Sequence, residues 1–243
     1  MRYAIISDIH ANLAAFQSVL ADIKKRGGAD KYWHLGDVVG YGPDPHECIE
    51  SLRRLDSICI VGNHDLAAIG KIGTEEFNPD AAASCRWTAK QLNSSDIAYL
   101  EKLPLIIVEG DFTLVHGSPR DPVWEYLLTT SLARENFTCF KTQFCLVGHS
   151  HVPLVFRSEA GGEVSGRRFL TEISLRSKDR VILNPGGVGQ PRDGEPQAAY
   201  AIYDSETGLI TPFRVPYDIK ATQAKMTRLG LPDSLISRLS YGI

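Results

Sequence analysis

The chain has 243 residues, of which 43% are hydrophobic and 23% charged, and its formal net charge is −3. These proportions exclude disordered and fibrous classes, and a slightly acidic chain has no bulk attraction for nucleic acid or an anionic membrane. No apolar stretch approaches the roughly 20 residues that a membrane-spanning helix needs.

In chain order, an apolar run at 4–6 is followed by Asn12, placed to cap a helix, and by Leu13, Phe16, Val19, Leu20 and Ile23 at helical spacing until Gly27 and Gly28. A second run, 32–35, leads into a Gly- and Pro-rich loop at 36–43 and a helix over 45–55. The third run, 58–61, ends in Gly62-Asn63-His64-Asp65. Three βα-type units in a row imply a mainly parallel, helix-covered sheet. From 79 to 103 the alanines, with Trp87, Leu92, Ile97 and Leu100, predict one or two helices to one side.

The second half changes character. Strand-like runs at 105–108, 112–115, 144–147, 154–157, 168–173, 181–183, 199–203 and 210–215 are mostly separated by short turns, which favours antiparallel pairing. A helix over 130–140 interrupts them, and helices over 219–229 and 233–239 close the chain. This βα-then-ββ order fits one α/β domain over 1–243, two sheets packed face to face between helices. Segment 79–103 then either caps a pocket or builds a dimer surface, and 217–240 forms terminal helices. The five cysteines are odd in number and lack Cys-x-x-Cys spacing, so buried free thiols are expected. With a strand pattern starting at once from Met1, they suggest a cytoplasmic location.

Asp8, His10, Asp37, Asn63, His116, His149 and His151 each stand just past an apolar run. Strand ends are where such folds place their chemistry, and these seven offer nitrogen and oxygen donors enough for two metal ions. Asp8 and His10, two residues apart in extended backbone, would point to one side and share an ion. Asp37 has two oxygens and could bridge two cations. Imidazole, carboxylate and amide ligation suits divalent ions such as Mn, Fe or Zn better than a thiolate-bound structural zinc.

The ordered series Asp-x-His, Gly-Asp, Gly-Asn-His-Asp, His and Gly-His-x-His, from Asp8 to His151, resembles the calcineurin-like metallophosphoesterase superfamily. The resemblance implies a four-layered α/β/β/α sandwich of two mixed sheets flanked by helices. It further implies that Asp8, His10 and His151 hold one ion and Asn63, His116 and His149 the other, with Asp37 bridging. Two ions, Mn or Fe first and Zn, Ni or Mg as further candidates, would lie about 3.5–4 Å apart and lower the pKa of a bound water to roughly 7, giving a bridging hydroxide that attacks phosphorus. His64, spare as a ligand, would face the substrate and protonate the leaving oxygen or stabilise the transition state, with Asp65 orienting it.

Arg120, Arg192 and Tyr41 are candidate substrate contacts, Arg192 being presented by the Gly-rich stretch 184–194. That stretch lacks the Gly-Lys-Ser/Thr of a P-loop, so a tight turn is its plain reading. His34, inside a strand pattern, reads as core, and His46 as a surface or rim residue. Serine/threonine phosphatases of the superfamily carry Gly-Asp-x-Val-Asp-Arg-Gly, whereas Gly40 and Tyr41 stand at the second Asp and the Arg here. The resemblance is therefore to the small prokaryotic phosphodiesterase-like branch. The expected activity is phosphodiester or phosphomonoester hydrolysis of a small substrate, nucleotides included. The alternatives are a nucleotide pyrophosphohydrolase, a phosphoprotein phosphatase, a metallohydrolase acting on another bond, and a non-catalytic scaffold on the same fold. The sequence leaves the oligomeric state open.

Overall fold

Two six-stranded sheets lie face to face in the computed structural model, which describes residues 1–159 and 161–243. The first half runs β1 (Arg2–Ile6), α1 (Leu13–Lys25), β2 (Lys31–His34), α2 (Pro45–Arg53), β3 (Ser57–Cys59), α3 (Asn63–Ala68), α4 (Pro79–Ala89) and α5 (Ser94–Leu100). Then come β4 (Ile106–Glu109), β5 (Phe112–Val115), α6 (Thr130–Asn136), β6 (Phe144–Leu146), β7 (Leu154–Ser158), β8 (Val164–Arg168), β9 (Ile173–Ser174) and β10 (Arg180–Asn184). Last are β11 (Ala198–Asp204), β12 (Leu209–Val215), α7 (Ile219–Arg228), α8 (Asp233–Ser237) and a 3-10 turn at Arg238–Ser240.

One sheet has the order β3-β2-β1-β11-β12-β9 and the other β4-β5-β6-β10-β7-β8. β1, β2 and β3 pair in parallel, joined by α1 and α2, and β11 closes on β1 in antiparallel register, Arg2 opposite Asp204. α1 starts where its cap predicts: the Asn12 side chain accepts the Ala15 N–H at 3.2 Å. Its buried stripe is Ala15, Phe16, Val19 and Ile23, and Lys24 and Lys25 sit at the negative end of the helix dipole.

Three layers of apolar side chains produce the expected sandwich. Ile5, Trp33, Phe112, Phe144 and Leu183 meet between the sheets, each contributing about 1.5–3 kcal/mol by leaving water. Phe16, Ile49 and Leu52 pack α1 and α2 on the outer face of the first sheet, and Ala133 packs α6 beside Cys145 and Ile182 of the second. The order is therefore α/β/β/α.

Two expectations are corrected. The short connections do give antiparallel hairpins at β4–β5, β7–β8 and β11–β12, but β5, β6 and β10 are parallel to one another. The segments joining them carry α6 and the β7–β8 hairpin, long enough for crossovers. The run 168–173 is not one strand: β8 ends at Arg168 in one sheet and β9 begins at Ile173 in the other, with Phe169 buried between them. Gly62-Asn63-His64-Asp65, which the sequence reading assigns to no element, opens a helix: Asn63 starts α3 and the Asp65 carboxylate accepts the Gly62 N–H at 3.0 Å, the capping interaction that starts a helix.

Four cysteines are buried and free, while Cys139 is exposed. His34 is buried and finds no hydrogen-bond partner for either ring nitrogen among the described residues, and His46 is an exposed residue paired with Asp96. Among the described residues no helix is long and apolar enough to cross a membrane.

Candidate metal centre

The C-terminal ends of β1, β2, β3, β5 and β6 deliver Asp8, His10, Asp37, Asn63, His116, His149 and His151 to one place. Backbone bonds lace these loops together: Asp8 N–H donates to Gly36, His10 N–H to Asp37, Gly148 N–H to His116, and Val188 and Gly189 N–H to Ser7 and Asp8, all at 2.8–3.0 Å. All seven side chains are buried.

Their donor atoms form two groups that share Asp37. Asp8 Oδ1 lies 3.8 Å from His10 Nε2 and 3.3 Å from His151 Nε2, and the two imidazole nitrogens are 3.1 Å apart. Asp37 Oδ2 lies 3.6 Å from His10 Nε2 and 3.3 Å from His116 Nε2. Asn63 Oδ1 is 3.1 Å from His116 Nε2, and His149 groups with Asp37 and His116.

The outward-facing ring nitrogens of the four histidines are all committed. His10 Nδ1–H donates to the Val39 carbonyl at 3.1 Å, His116 Nδ1–H to Leu35 at 2.7 Å and His151 Nδ1–H to Gln190 at 2.5 Å. A carbonyl can only accept, so in the neutral form of each ring Nε2 keeps its lone pair for the centre. His149 is turned round: Nε2–H donates to Trp124 at 3.1 Å, which frees Nδ1. Each carboxylate has one oxygen bonded and one free. Ser7 Oγ–H donates to Asp8 Oδ2 and the His64 N–H to Asp37 Oδ1, whereas buried Asp8 Oδ1 and Asp37 Oδ2 have no hydrogen-bond partner among the described residues. Orphaned buried carboxylate oxygens are costly unless a cation completes them.

Electrostatics point the same way. Burial drives the imidazoles of His10 and His151 well below their ordinary 6.5, and that of His149 to about 3, so all three are neutral at pH 7 and ready to ligate. Burial also pushes the Asp8 carboxyl up to about 7, against His116 and with the help of Asp37. Burial acts upward on Asp37 too, but the imidazoles of His116, His64 and His10 hold it well below the carboxylate range. His116 rises to about 9, because the Asp37 charge outweighs its own burial. Buried imidazole, carboxylate and amide donors gathered in this way fit a divalent cation.

The backbone is strained to aim these groups. Among the described residues, the non-glycine positions with left-handed φ are Asp8, His10, Ala11, Asp37, Tyr41, His149 and His151, at +49° to +62°. Such residues cost about 1–3 kcal/mol each and persist where the surroundings over-determine them. This corrects the expectation of extended backbone at Asp8 and His10: they share a side because the chain turns, not because a strand alternates. Glycine is required at Gly62, where a Cβ would overlap Asp37 Oδ1.

Around the centre lie the other expected site residues. The His64 ring packs on Tyr41 at 4.2 Å and His10 at 4.9 Å between centroids, and burial lowers its pKa to about 4. Asp65 does not orient it. Its carboxylate instead accepts the N–H groups of Asp37, Gly62 and Val39, which ties α3 to the Asp37 loop. Arg192 donates to the Tyr41 hydroxyl at 3.1 Å and to Gln190, while its Nε has no partner among the described residues. Arg120 is not brought to the centre: Glu125 and Glu135 bind its guanidinium. It stands at one remove, since Glu125, also held by Ser118 and Asn136, lies between Trp124, whose carbonyl accepts from His149, and Tyr126, whose ring stacks on His149 at 4.0 Å. Trp124 and Tyr126 are site residues that the sequence reading misses. Their one signal there is an aromatic pair in the Pro-containing loop that follows His116.

The family model for the calcineurin-like phosphoesterase superfamily domain matches residues 1–208. The chain belongs to that superfamily. Its structure superposes on the crystal structure of a metallophosphoesterase from Sphaerobacter thermophilus with a TM-score of 0.90 at 47% identity, covering 100% of this chain and 99% of that one. An uncharacterized protein of Methanocaldococcus jannaschii is 41% identical over 98% of this chain and 97% of its own length. A symmetrical bis(5'-nucleosyl)-tetraphosphatase of Pectobacterium carotovorum is 28% identical over 54% of this chain and 48% of its own length, so that match spans about half of the enzyme. As a superfamily member the chain is a phosphoesterase-type hydrolase, and the family implies divalent metals.

Proposed function

We propose that this protein is a dinuclear metal-dependent phosphoesterase acting on small phosphate esters, with nucleotides as the favoured class. The observation that carries the reading is the pair of orphaned oxygens, Asp8 Oδ1 and Asp37 Oδ2, facing imidazole nitrogens whose far sides are tied to carbonyls. Asp8, His10 and His151 would hold one cation, Asn63, His116 and His149 the other, and Asp37 both. Such ions supply Lewis acidity toward phosphoryl oxygens and acidify a water at neutral pH. Manganese or iron suits the mixed nitrogen and oxygen donors.

The chain's own groups do the rest. His64, neutral at pH 7, offers a ring N–H to oxygen as negative charge develops at the leaving group. Arg192 pairs with no carboxylate among the described residues and keeps guanidinium hydrogens free for a phosphoryl oxygen. Tyr41 stands where a protein phosphatase of the family carries Arg, and its hydroxyl accepts from Arg192. The guanidinium thus comes from the opposite loop, a rearrangement that favours a small substrate over a phosphoprotein. The likeness to a bis(5'-nucleosyl)-tetraphosphatase supports nucleotides.

The test is a panel of esters presented to the Mn²⁺-loaded protein: bis-p-nitrophenyl phosphate, p-nitrophenyl phosphate, cyclic nucleotides, dinucleoside tetraphosphate and a phosphopeptide. Hydrolysis of the diester or a nucleotide is expected. Inactivity on every phosphate ester with two metals bound would sink the proposal.

A further inference from the structure

We propose that Cys85 is the positioning residue for His64, its thiol donating to Nδ1 so that the ring hydrogen is carried on Nε2. The inference rests on the role given to His64 above. Cys85 Sγ lies 3.2 Å from His64 Nδ1, and both residues are buried. Among the described residues this is the one hydrogen bond that either ring nitrogen makes and the one that the sulfur makes. Burial pushes the thiol pKa far up, so the sulfur keeps its hydrogen.

The rest of the pocket explains why the partner comes from α4. Protein phosphatases of the family place an Asp at the position of Gly40 to pair with this histidine. Here Gly40 has φ +89°, and a Cβ on it would lie 2.5 Å from His64 Nδ1 and 2.8 Å from Cγ. The loop backbone therefore passes against the ring, and no side chain can grow from it without displacing His64. α4 reaches Nδ1 instead. Two bonds hold that helix in place. The Asn78 side chain caps it by accepting from Ala81 at 2.9 Å, and the Ser84 hydroxyl, next to Cys85, accepts the Tyr41 N–H at 3.4 Å.

The other rings around it, Tyr41 at 4.2 Å, Phe77 at 4.8 Å and His10 at 4.9 Å, offer aromatic faces and edges to His64. With the hydrogen on Nδ1, the Cys85 hydrogen would lose its acceptor and a lone pair on Nε2 would repel an incoming oxygen. With the hydrogen on Nε2, both are satisfied. A neutral Cys thus sets the tautomer as a carboxylate does elsewhere in the family, without adding a further buried carboxylate beside Asp8, Asp37 and Asp65.

The experiment uses the full chain, histidine-labelled with ¹⁵N and loaded with diamagnetic Zn²⁺. Two-bond ¹H–¹⁵N correlation, with His64 assigned through His64→Gln, reads the tautomer, and kcat, KM and metal content are measured in parallel with Mn²⁺. The expected result is hydrogen on Nε2 in the wild type and mixed tautomers in Cys85→Ala. Its kcat should fall about two- to fivefold, as loss of a weak S–H bond of about 0.5–1 kcal/mol implies, with KM and metal content unchanged. Cys85→Ser, which keeps a donor, should recover both readouts. Hydrogen on Nδ1 in the wild type overturns the proposal, as does a Cys85→Ala protein with unchanged tautomer and kcat, or a Cys85→Ser protein no better than Ala. If Cys85→Ala does not fold, the wild-type spectrum and the Ser variant decide. Failure of the phosphoesterase reading is separately visible, because a wild type inactive on esters still reports its tautomer.

Discussion

The Asp37 carboxylate divides its oxygens between the backbone of His64 and the candidate metal centre. Oδ1 accepts the His64 N–H at 2.9 Å, and Oδ2, orphaned among the described residues, faces His10 at 3.6 Å and His116 at 3.3 Å. The first bond orients the carboxylate for the second role. Asp37→Asn is therefore expected to weaken both ions, by about tenfold or more, since even groups behind a ligand cost 10- to 100-fold when lost. Metal content after dialysis against graded chelator measures this. Release of one ion with the other retained at wild-type affinity would remove Asp37 from the bridging position.

His64→Ala should leave both ions in place, because its ring nitrogen bonds Cys85 and its backbone N–H, which supports Asp37, survives the change. Turnover should drop by about 10²-fold or more, the usual scale of a lost proton-transfer or hydrogen-bonding catalyst. Unchanged kcat at full metal occupancy would take away its catalytic role.

Arg192→Ala should lower kcat/KM by about 10- to 100-fold, equivalent to a charge-assisted hydrogen bond of about 1.5–3 kcal/mol. Arg192→Lys should restore only part, since an ammonium cannot bond the Tyr41 hydroxyl and a phosphoryl oxygen in the same fork. Steady-state kinetics on the best ester of the panel decides; wild-type kinetics in the Ala variant would return Arg192 to a purely structural place.

Away from the site, Asp22 joins α1 to β11 by accepting from Arg26 and from the Tyr200 hydroxyl, each at 2.7 Å. Burial raises its pKa, but these two hydrogen bonds prevail and bring it below 3.8. A depressed carboxylate stabilises the fold above its unfolded pKa, and that contribution is lost as pH falls through the folded value. Asp22→Asn should thus cost about 1 kcal/mol at pH 7, and the gap to wild type should close as pH falls below 3.8. Urea unfolding at both pH values, in chelating buffer, tests this. A gap that stays constant would mean the charge contributes nothing.

Much of the architecture is legible in the sequence because its signals are local. Asn12 caps α1 through its own side chain, and runs such as Phe112–Val115 are strands by composition alone. What escapes depends on partners far along the chain. Asp8 and His10 look like an alternating pair until Gly36 and Asp37 bind their N–H groups and force left-handed turns. Asp65 follows His64 in sequence, yet its carboxylate serves the Asp37 loop. Cys85 carries no mark of its own in a run of alanines, and its meaning arises only when α4 packs on α3 beside Gly40. Arg120 sits four residues after His116 but is claimed by two glutamates that spacing does not reveal.

β1 leaves the ribosome long before β11, one of its two neighbours in the sheet. Until Asp204 has emerged, β1 keeps an open edge, and the carbonyls of Ser7 and Asp8 lack the N–H groups of Val188 and Gly189. The nascent chain therefore carries Asp8 and His10, the first two proposed ligands, on an unfinished platform, and its assembly waits on distant pairing of the kind that slows folding and exposes strand edges. With the proposed ligands, metal capture would belong to a late stage of biogenesis, after β11 has been made.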